Sequence, residues 1–264
     1  MTRAPGQAHP AELPAVDERL VMPETRYEIM DGRVHYVAAA DEPHGRTHSR
    51  LCAVLEAYAA DGYNVATDML TRTSAFDDMA PDASIYPAER DPDTGGRRLE
   101  ELAFEVASTQ RLADAAHKAG KLAARGVRRV FALDVKRDRV LEFAAETGSW
   151  RLLARDAMID DRTLAAPLPA RVLCGAAHAD DAMARALIAK NNPVLADAVA
   201  KGRAEGHAEG RAQALAEAIL VVLESRNLPA TAADAERIRA TRDEQVLARW
   251  LREAATCAGA GQLV

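Results

Sequence analysis

Aromatic residues are scarce, at 4% of the chain, which leaves few of the stacking platforms that single-stranded nucleic-acid binders rely on. Cysteine is scarcer still. Cys52, Cys174 and Cys257 lie far apart and form no CxxC pair, which argues against a disulfide framework or a zinc ribbon and fits reduced, cytosolic thiols. Net positive charge is also missing: the formal charge is −6, so the molecule as a whole is no basic nucleic-acid binder. The longest strongly apolar run, residues 218–223, falls far short of the roughly 20 residues a membrane helix needs. Residues 1–20 are broken by Pro5, Pro10 and Pro14 and lack the apolar segment of a secretory signal. The expectation is a soluble, cytoplasmic protein with no membrane partner. Hydrophobic residues make up 48% of the 264 positions, enough for one good-sized packed domain with an appendage or for two small domains.

What is present centres on residues 81–118. Pro81-Asp82 leads into Ala83-Ser84-Ile85-Tyr86, and a second apolar run follows at Leu102-Ala103-Phe104-Glu105-Val106-Ala107-Ser108. Both runs are short, apolar and bounded by Pro, Asp and Gly, which predicts two strands joined by turn chemistry at residues 91–96. An antiparallel pairing with Tyr86 opposite Glu101 sets Asp82 opposite Glu105. Facing residues have Cβ atoms roughly 4.5–5.5 Å apart, close enough for both carboxylates to hold one cation. Like charges that close need a positive charge between them, and a hard, oxygen-seeking ion such as Mg²⁺ (or Mn²⁺) suits them. Glu105 is the more informative acid, because a carboxylate inside so apolar a run is costly without a partner. The alternatives are a turn-capping Asp82 and a buried Glu105 paired with some basic residue.

From Arg111 to Arg125 the apolar positions Leu112, Ala115, Ala116, Ala119, Leu122 and Ala123 recur at helical spacing. Asp114 and Lys118 stand one turn apart, and Lys118 borders the polar face, in reach of the strand that has just ended. Lys121 and Arg125 share that polar face as candidate nucleic-acid contacts. They belong to a basic interval with Arg111, Arg128, Arg129, Lys136, Arg137 and Arg139, which reads equally as a phosphate-facing patch or as an ordinary solvated surface. Two acids and a lysine around a divalent ion form a constellation for phosphodiester hydrolysis, with Asp82, Glu105 and Lys118 as candidate catalytic residues.

The order Pro81-Asp82, Glu105-Val106-x-Ser108, Asp114-x-x-x-Lys118, Gly126-Val127 and Val130-Phe131-Ala132-Leu133-Asp134 resembles the Uma-two family of the PD-(D/E)xK, restriction-endonuclease-like superfamily. Tyr27-Glu28-Ile29-Met30-Asp31-Gly32-Arg33-Val34 and the segment from His44 to Leu51 resemble the family's opening, so the likeness spans roughly residues 23–143. Simpler members of the superfamily place the lysine two residues after the second acid, where this chain has Ala107. In the Uma-two pattern it moves to the following helix, where Lys118 stands. The aromatic usual one turn later is Leu122 here, a departure that concerns packing. The resemblance implies a metal-dependent nuclease fold, with an acidic position near the metal at Glu28.

Along the rest of the chain, residues 1–22 read as a flexible lead-in. Residues 26–30 and 33–37 flank Asp31-Gly32, which suits a two-residue type I′ hairpin turn. A helix is expected over about 45–60, with His44 and His48 one turn apart. The HExxH signature fails because Gly45 stands where the glutamate belongs, so a polar role for His44 at the helix entrance, touching the site or a phosphate, is the reading. Residues 63–66 and 69–73 are expected to extend the same sheet, 130–135 to form a buried strand and 139–143 with 150–153 a hairpin. After Asp180 the strand signal ends and Ala, Glu and Arg dominate. Gly202, Gly206 and Gly210 interrupt the helical pattern, a firmer helix is expected over 212–226, and Thr241-Arg242-Asp243-Glu244 has the capping-box form before a last short helix.

The fold class expected is α/β: a restriction-endonuclease-like mixed β-sheet flanked by helices over residues 23–175, with an α-helical extension over 176–264. The function expected is a Mg²⁺- or Mn²⁺-dependent DNA endonuclease, with Glu28, His44 and Asp114 as outer members of the site. The helical extension is read as an oligomerisation or partner-binding element, making a homodimer one expectation. The alternative from a different class is an inert nuclease-fold module that binds nucleic acid or protein.

Overall fold

The computed structural model describes Val16 and residues 27–37, 39–108, 112–175 and 179–263. The lead-in over residues 1–22, Val16 apart, and Arg111 therefore lie outside the described residues. Two compact units divide at Asn191 and Asn192.

In the first unit, β1 (Tyr27–Met30) and β2 (Arg33–Tyr36) pair antiparallel with Glu28 opposite His35. Asp31 and Gly32 have φ of 51° and 71°, both positive as a type I′ turn requires. Helix α1 (Glu42–Tyr58) starts three residues earlier than expected. Asp41 accepts the His44 N–H as N-cap, and Pro43 fits a first turn whose amides have no helical partner. Strands β3 (Tyr63–Thr67), β4 (Thr71–Ser74), β5 (Asp77–Met79), β6 (Ala83–Pro87) and β7 (Leu102–Ala107) follow. Next come α2 (Leu112–Arg125), β8 (Arg129–Asp134), β9 (Arg139–Ala144) and β10 (Ser149–Leu152). The short pair β11 (Met158–Ile159) and β12 (Leu168–Pro169) leads to α3 (Ala170–Cys174) and α4 (Ala179–Ala189).

The main sheet has the order β10-β9-β8-β7-β6-β3, with β7 parallel to β8 and the other pairs antiparallel. A parallel pair needs a crossover, and α2 is that crossover. Strand β7 is central and buried at every position, which explains its unbroken apolar run. Its even-numbered residues Leu102, Phe104 and Val106 join the larger core with α1, α3 and α4, and the Phe104 and Phe131 rings stack at 5.1 Å. Ala103 turns the other way, to a second core with Ala119 and Leu122 of α2. Side chains alternate along a strand, so Glu105 faces α2.

Strand β4 does not extend the main sheet. It lies at the edge of a separate four-stranded sheet, β2-β1-β5-β4. Residues 77–79 make a strand there despite the sequence Asp-Asp-Met, because β1 and β4 supply ladders on both sides.

The second unit is helical: α5 (Pro193–Ser225), α6 (Ala232–Ala240) and α7 (Glu244–Ala254) around Ala216, Ile219, Leu223, Ile238, Leu247 and Trp250. Helix α5 runs unbroken through Gly202, Gly206 and Gly210 instead of firming up at Ala212. The capping box belongs to α6, formed by Thr231 and Asp234, and Thr241 is that helix's C-cap. Asp243 caps α7 by accepting the Gln245 and Val246 N–H groups.

Candidate active site

The β6–β7 register pairs Ala83 with Phe104, Ser84 with Ala103 and Ile85 with Leu102. Continued by one step, that register sets Asp82 against Glu105, and Tyr86 against Glu101, as expected. Asp82 Oδ2 accepts the Val106 N–H at 2.5 Å, which fixes the carboxylate at the head of β6.

Lys118 reaches over from α2. Its Nζ lies 3.0 Å from Glu105 Oε1 and 2.7 Å from Glu28 Oε1, and it donates to the Ala80 carbonyl at 2.7 Å. Glu28 Oε1 also accepts the Ala80 N–H at 2.8 Å, tying β1 to the turn before Asp82. The sequence carries both links. Ala103 and Ala119 are small enough to bring α2 close to β7, and the alternation of β7 aims Glu105 at that helix.

Three carboxylates therefore face one buried ammonium. Burial pulls the Lys118 pKa down, but Glu105, Glu28 and Asp82 together raise it, so the amine stays charged. Burial pushes the Glu105 carboxyl up to about 8, with Asp82 and Glu28 adding to the rise and Lys118 opposing it. Burial thus favours the neutral form of Glu105. For Asp82, burial raises the pKa, yet the His44 contact, the Lys118 charge and the Val106 N–H outweigh it, and the net shift is downward. His44 Nε2 stands 3.5 Å from Asp82 Oδ1, and that contact raises the imidazole pKa against its partial burial.

The donor set fits a hard divalent ion. Asp82 and Glu105 offer oxygens only, and the carboxyl groups around the site outnumber its one ammonium.

The other expected residues divide. Glu28 and His44 touch the cluster, whereas Asp114 is exposed on the first turn of α2. Lys121 Nζ is held between Asp31 at 2.6 Å and Asp77 at 2.9 Å, and Arg125 Nε donates to the Arg72 carbonyl at 3.1 Å. Much of the remaining basic interval is likewise engaged: Arg128 with Asp161 and Glu101, Arg129 with Glu142, and Arg137 and Arg139 with Asp134.

Two neighbours were not foreseen as a pair. His48 Nε2 hydrogen-bonds to the Asp82 carbonyl, and the Asp68 N–H donates to the same oxygen at 3.3 Å. The one sequence signal was the i, i+4 spacing of His44 and His48; nothing near Asp68 marks it.

Among solved structures, a "putative nuclease belonging to DUF820 from Anabaena variabilis ATCC 29413" matches at 14% identity and a TM-score of 0.46, covering 64% of this chain and 95% of that one. No curated protein matches the chain. The model of the family described as "Uma2: Putative restriction endonuclease" matches residues 13–172. Because that match takes in both acid-bearing strands, the lysine helix and more than half of the chain, the protein belongs to the Uma2 family.

Proposed function

We propose that the chain is a divalent-metal-dependent endonuclease that hydrolyses DNA phosphodiesters. The observation that carries this reading is the convergence of Asp82, Glu105 and Glu28 on the Lys118 ammonium at the ends of β6 and β7. Asp82 and Glu105 would hold Mg²⁺ or Mn²⁺. Such an ion, when bound, supplies Lewis acidity toward a phosphoryl oxygen and acidifies water.

The chain's own groups do the rest. Hydrolysis forms a bond from water oxygen to phosphorus and breaks the bond to the leaving oxygen, with negative charge growing on the phosphoryl oxygens. The Lys118 ammonium, held by Ala80, Glu28 and Glu105, supplies a fixed positive charge that offsets this growth without reorganisation. Glu28 keeps Lys118 in place from the second sheet and acts on the reaction only through it. His44 stands beside Asp82 Oδ1, a contact that favours its charged form, where a phosphate would approach.

One observation favours a second reading, an inert nuclease-fold module. Lys121, Arg128, Arg129, Arg137 and Arg139 are already paired with acids, which offsets much of the positive charge of this interval toward a phosphate backbone.

Calorimetric titration with Mg²⁺ and Mn²⁺, with plasmid nicking in the same samples, separates the two. Wild type should bind and nick, and Glu105→Gln should lose Mg²⁺ binding and nicking. Unchanged nicking by Glu105→Gln would overturn this assignment of the site, and no binding by wild type would transfer the case to the inert module.

A further inference from the structure

Asp82 has further neighbours besides the Lys118 cluster. His48, on α1, and Asp68, just after β3, converge on its main-chain oxygen from different parts of the chain. Opposite a carbonyl oxygen, His48 Nε2 carries the proton, which leaves Nδ1 as the ring nitrogen able to ligate. One ligand atom each from His48, Asp68 and Asp82 lies within 4.8 Å of the others. Ligands about 2.0–2.2 Å from a shared ion are at most about 4.4 Å apart, so small side-chain adjustments bring all three onto one ion. Two acids by themselves would be an ordinary solvated pair. Here a nitrogen donor joins them, and the Asp82 carboxylate is itself largely buried, with a side chain 16% exposed.

We infer that His48, Asp68 and Asp82 form a cation position of mixed nitrogen and oxygen ligation, next to the all-oxygen position of Asp82 and Glu105, with Asp82 shared between them. The inference rests on the proposed role of Asp82 as a metal ligand. An imidazole ligand favours Mn²⁺ and other first-row transition ions over Mg²⁺ and Ca²⁺. The exposure of Asp68 leaves the position open to solvent, so a bound ion there keeps water ligands. The site therefore discriminates between metals that the Asp82–Glu105 pair alone would treat alike.

The test is metal counting on the full chain, by calorimetry with Mn²⁺ and with Mg²⁺ and by electron spin echo spectroscopy of bound Mn²⁺. Wild type should take up two Mn²⁺ but one Mg²⁺, with nitrogen coupling from one imidazole. Asp68→Asn, a change at an exposed residue, should weaken the second Mn²⁺ at least tenfold and leave Mg²⁺ binding intact. His48→Gln should also abolish the nitrogen coupling, whereas Glu105→Gln should keep that coupling and lose Mg²⁺. One Mn²⁺ in wild type, without nitrogen coupling and lost in Glu105→Gln, overturns this inference and leaves the endonuclease reading standing. No binding of either ion by wild type overturns both.

Discussion

Lys118 is a buried cation whose partners come from three separate stretches of chain: Glu28, the Ala80 carbonyl and Glu105. Lys118→Met removes the charge but not the bulk and leaves two buried carboxyls without it. The expected cost is about 3–5 kcal/mol at pH 9, above the raised value of Glu105 in the wild type. It should be smaller at pH 5, where a proton on Glu105 replaces the missing charge; urea unfolding at the two pH values measures this, and equal losses would contradict it. Asp161 tests the opposite sign. Burial raises its pKa, but Arg128 and the Thr163 N–H and hydroxyl outweigh that and hold it well below the usual carboxylate range. A depressed carboxyl adds stability above its unfolded pKa, near 3.8, and loses it as the pH falls toward the folded value. Asp161→Asn should therefore be about 1–2 kcal/mol less stable at pH 7, discounted for the half-exposed Arg128. Between pH 4 and pH 2 it should lose less stability than wild type, as followed by circular dichroism. The roles of single residues were only partly legible. The pairing of Asp82 with Glu105 follows from strand period and turn position, which are local. The engagement of Lys121 with Asp31 bridges 90 positions, and no local pattern records it.

At the scale of elements, the central strands and α2 were legible because their burial is one-dimensional. A strand covered on both faces must be apolar throughout, and a helix on a sheet must repeat its apolar residues every three or four positions. Strand β5 escaped for the same reason: its Asp-Asp-Met sequence has no strand pattern, and ladders to β1 and β4 make it a strand. The capping residues near α7 escaped because Thr241 and Asp243 both have N-cap chemistry, and only the path of the chain out of α6 chooses Asp243. Helix α5 offers a direct test. A Cβ added at Gly202, Gly206 or Gly210 would meet nothing within 4 Å, and glycine costs about 1 kcal/mol against alanine at such positions. The triple Gly→Ala variant should stabilise the helical unit by about 2–3 kcal/mol, seen as a higher Tm. An unchanged or lower Tm, with a loss of mass by light scattering, would instead place a second chain against this ridge.

The whole molecule consists of two compact units, and each holds one of the two tryptophans, Trp150 and Trp250. The second unit buries its own core of Ala216, Ile219, Leu223, Ile238, Leu247 and Trp250. A fragment of residues 192–264 should therefore fold by itself, with blue-shifted Trp250 emission and one cooperative thermal transition; a coil spectrum would refute this. No helix among the described residues is long and apolar enough to cross a membrane. The sequence by itself determined the α/β class, the helical tail, the facing of Asp82 and Glu105, and the lysine helix, since each depends on spacing within one or two neighbouring elements. Only the tertiary structure decided that β1 belongs to a second sheet which brings Glu28 to Lys118, and that His48 and Asp68 meet at Asp82. It also decided that most of the basic interval is already paired with acids. These outcomes depend on which surfaces remain once the cores have packed, and electrostatic partners are chosen by distance in space, which the order of residues does not encode.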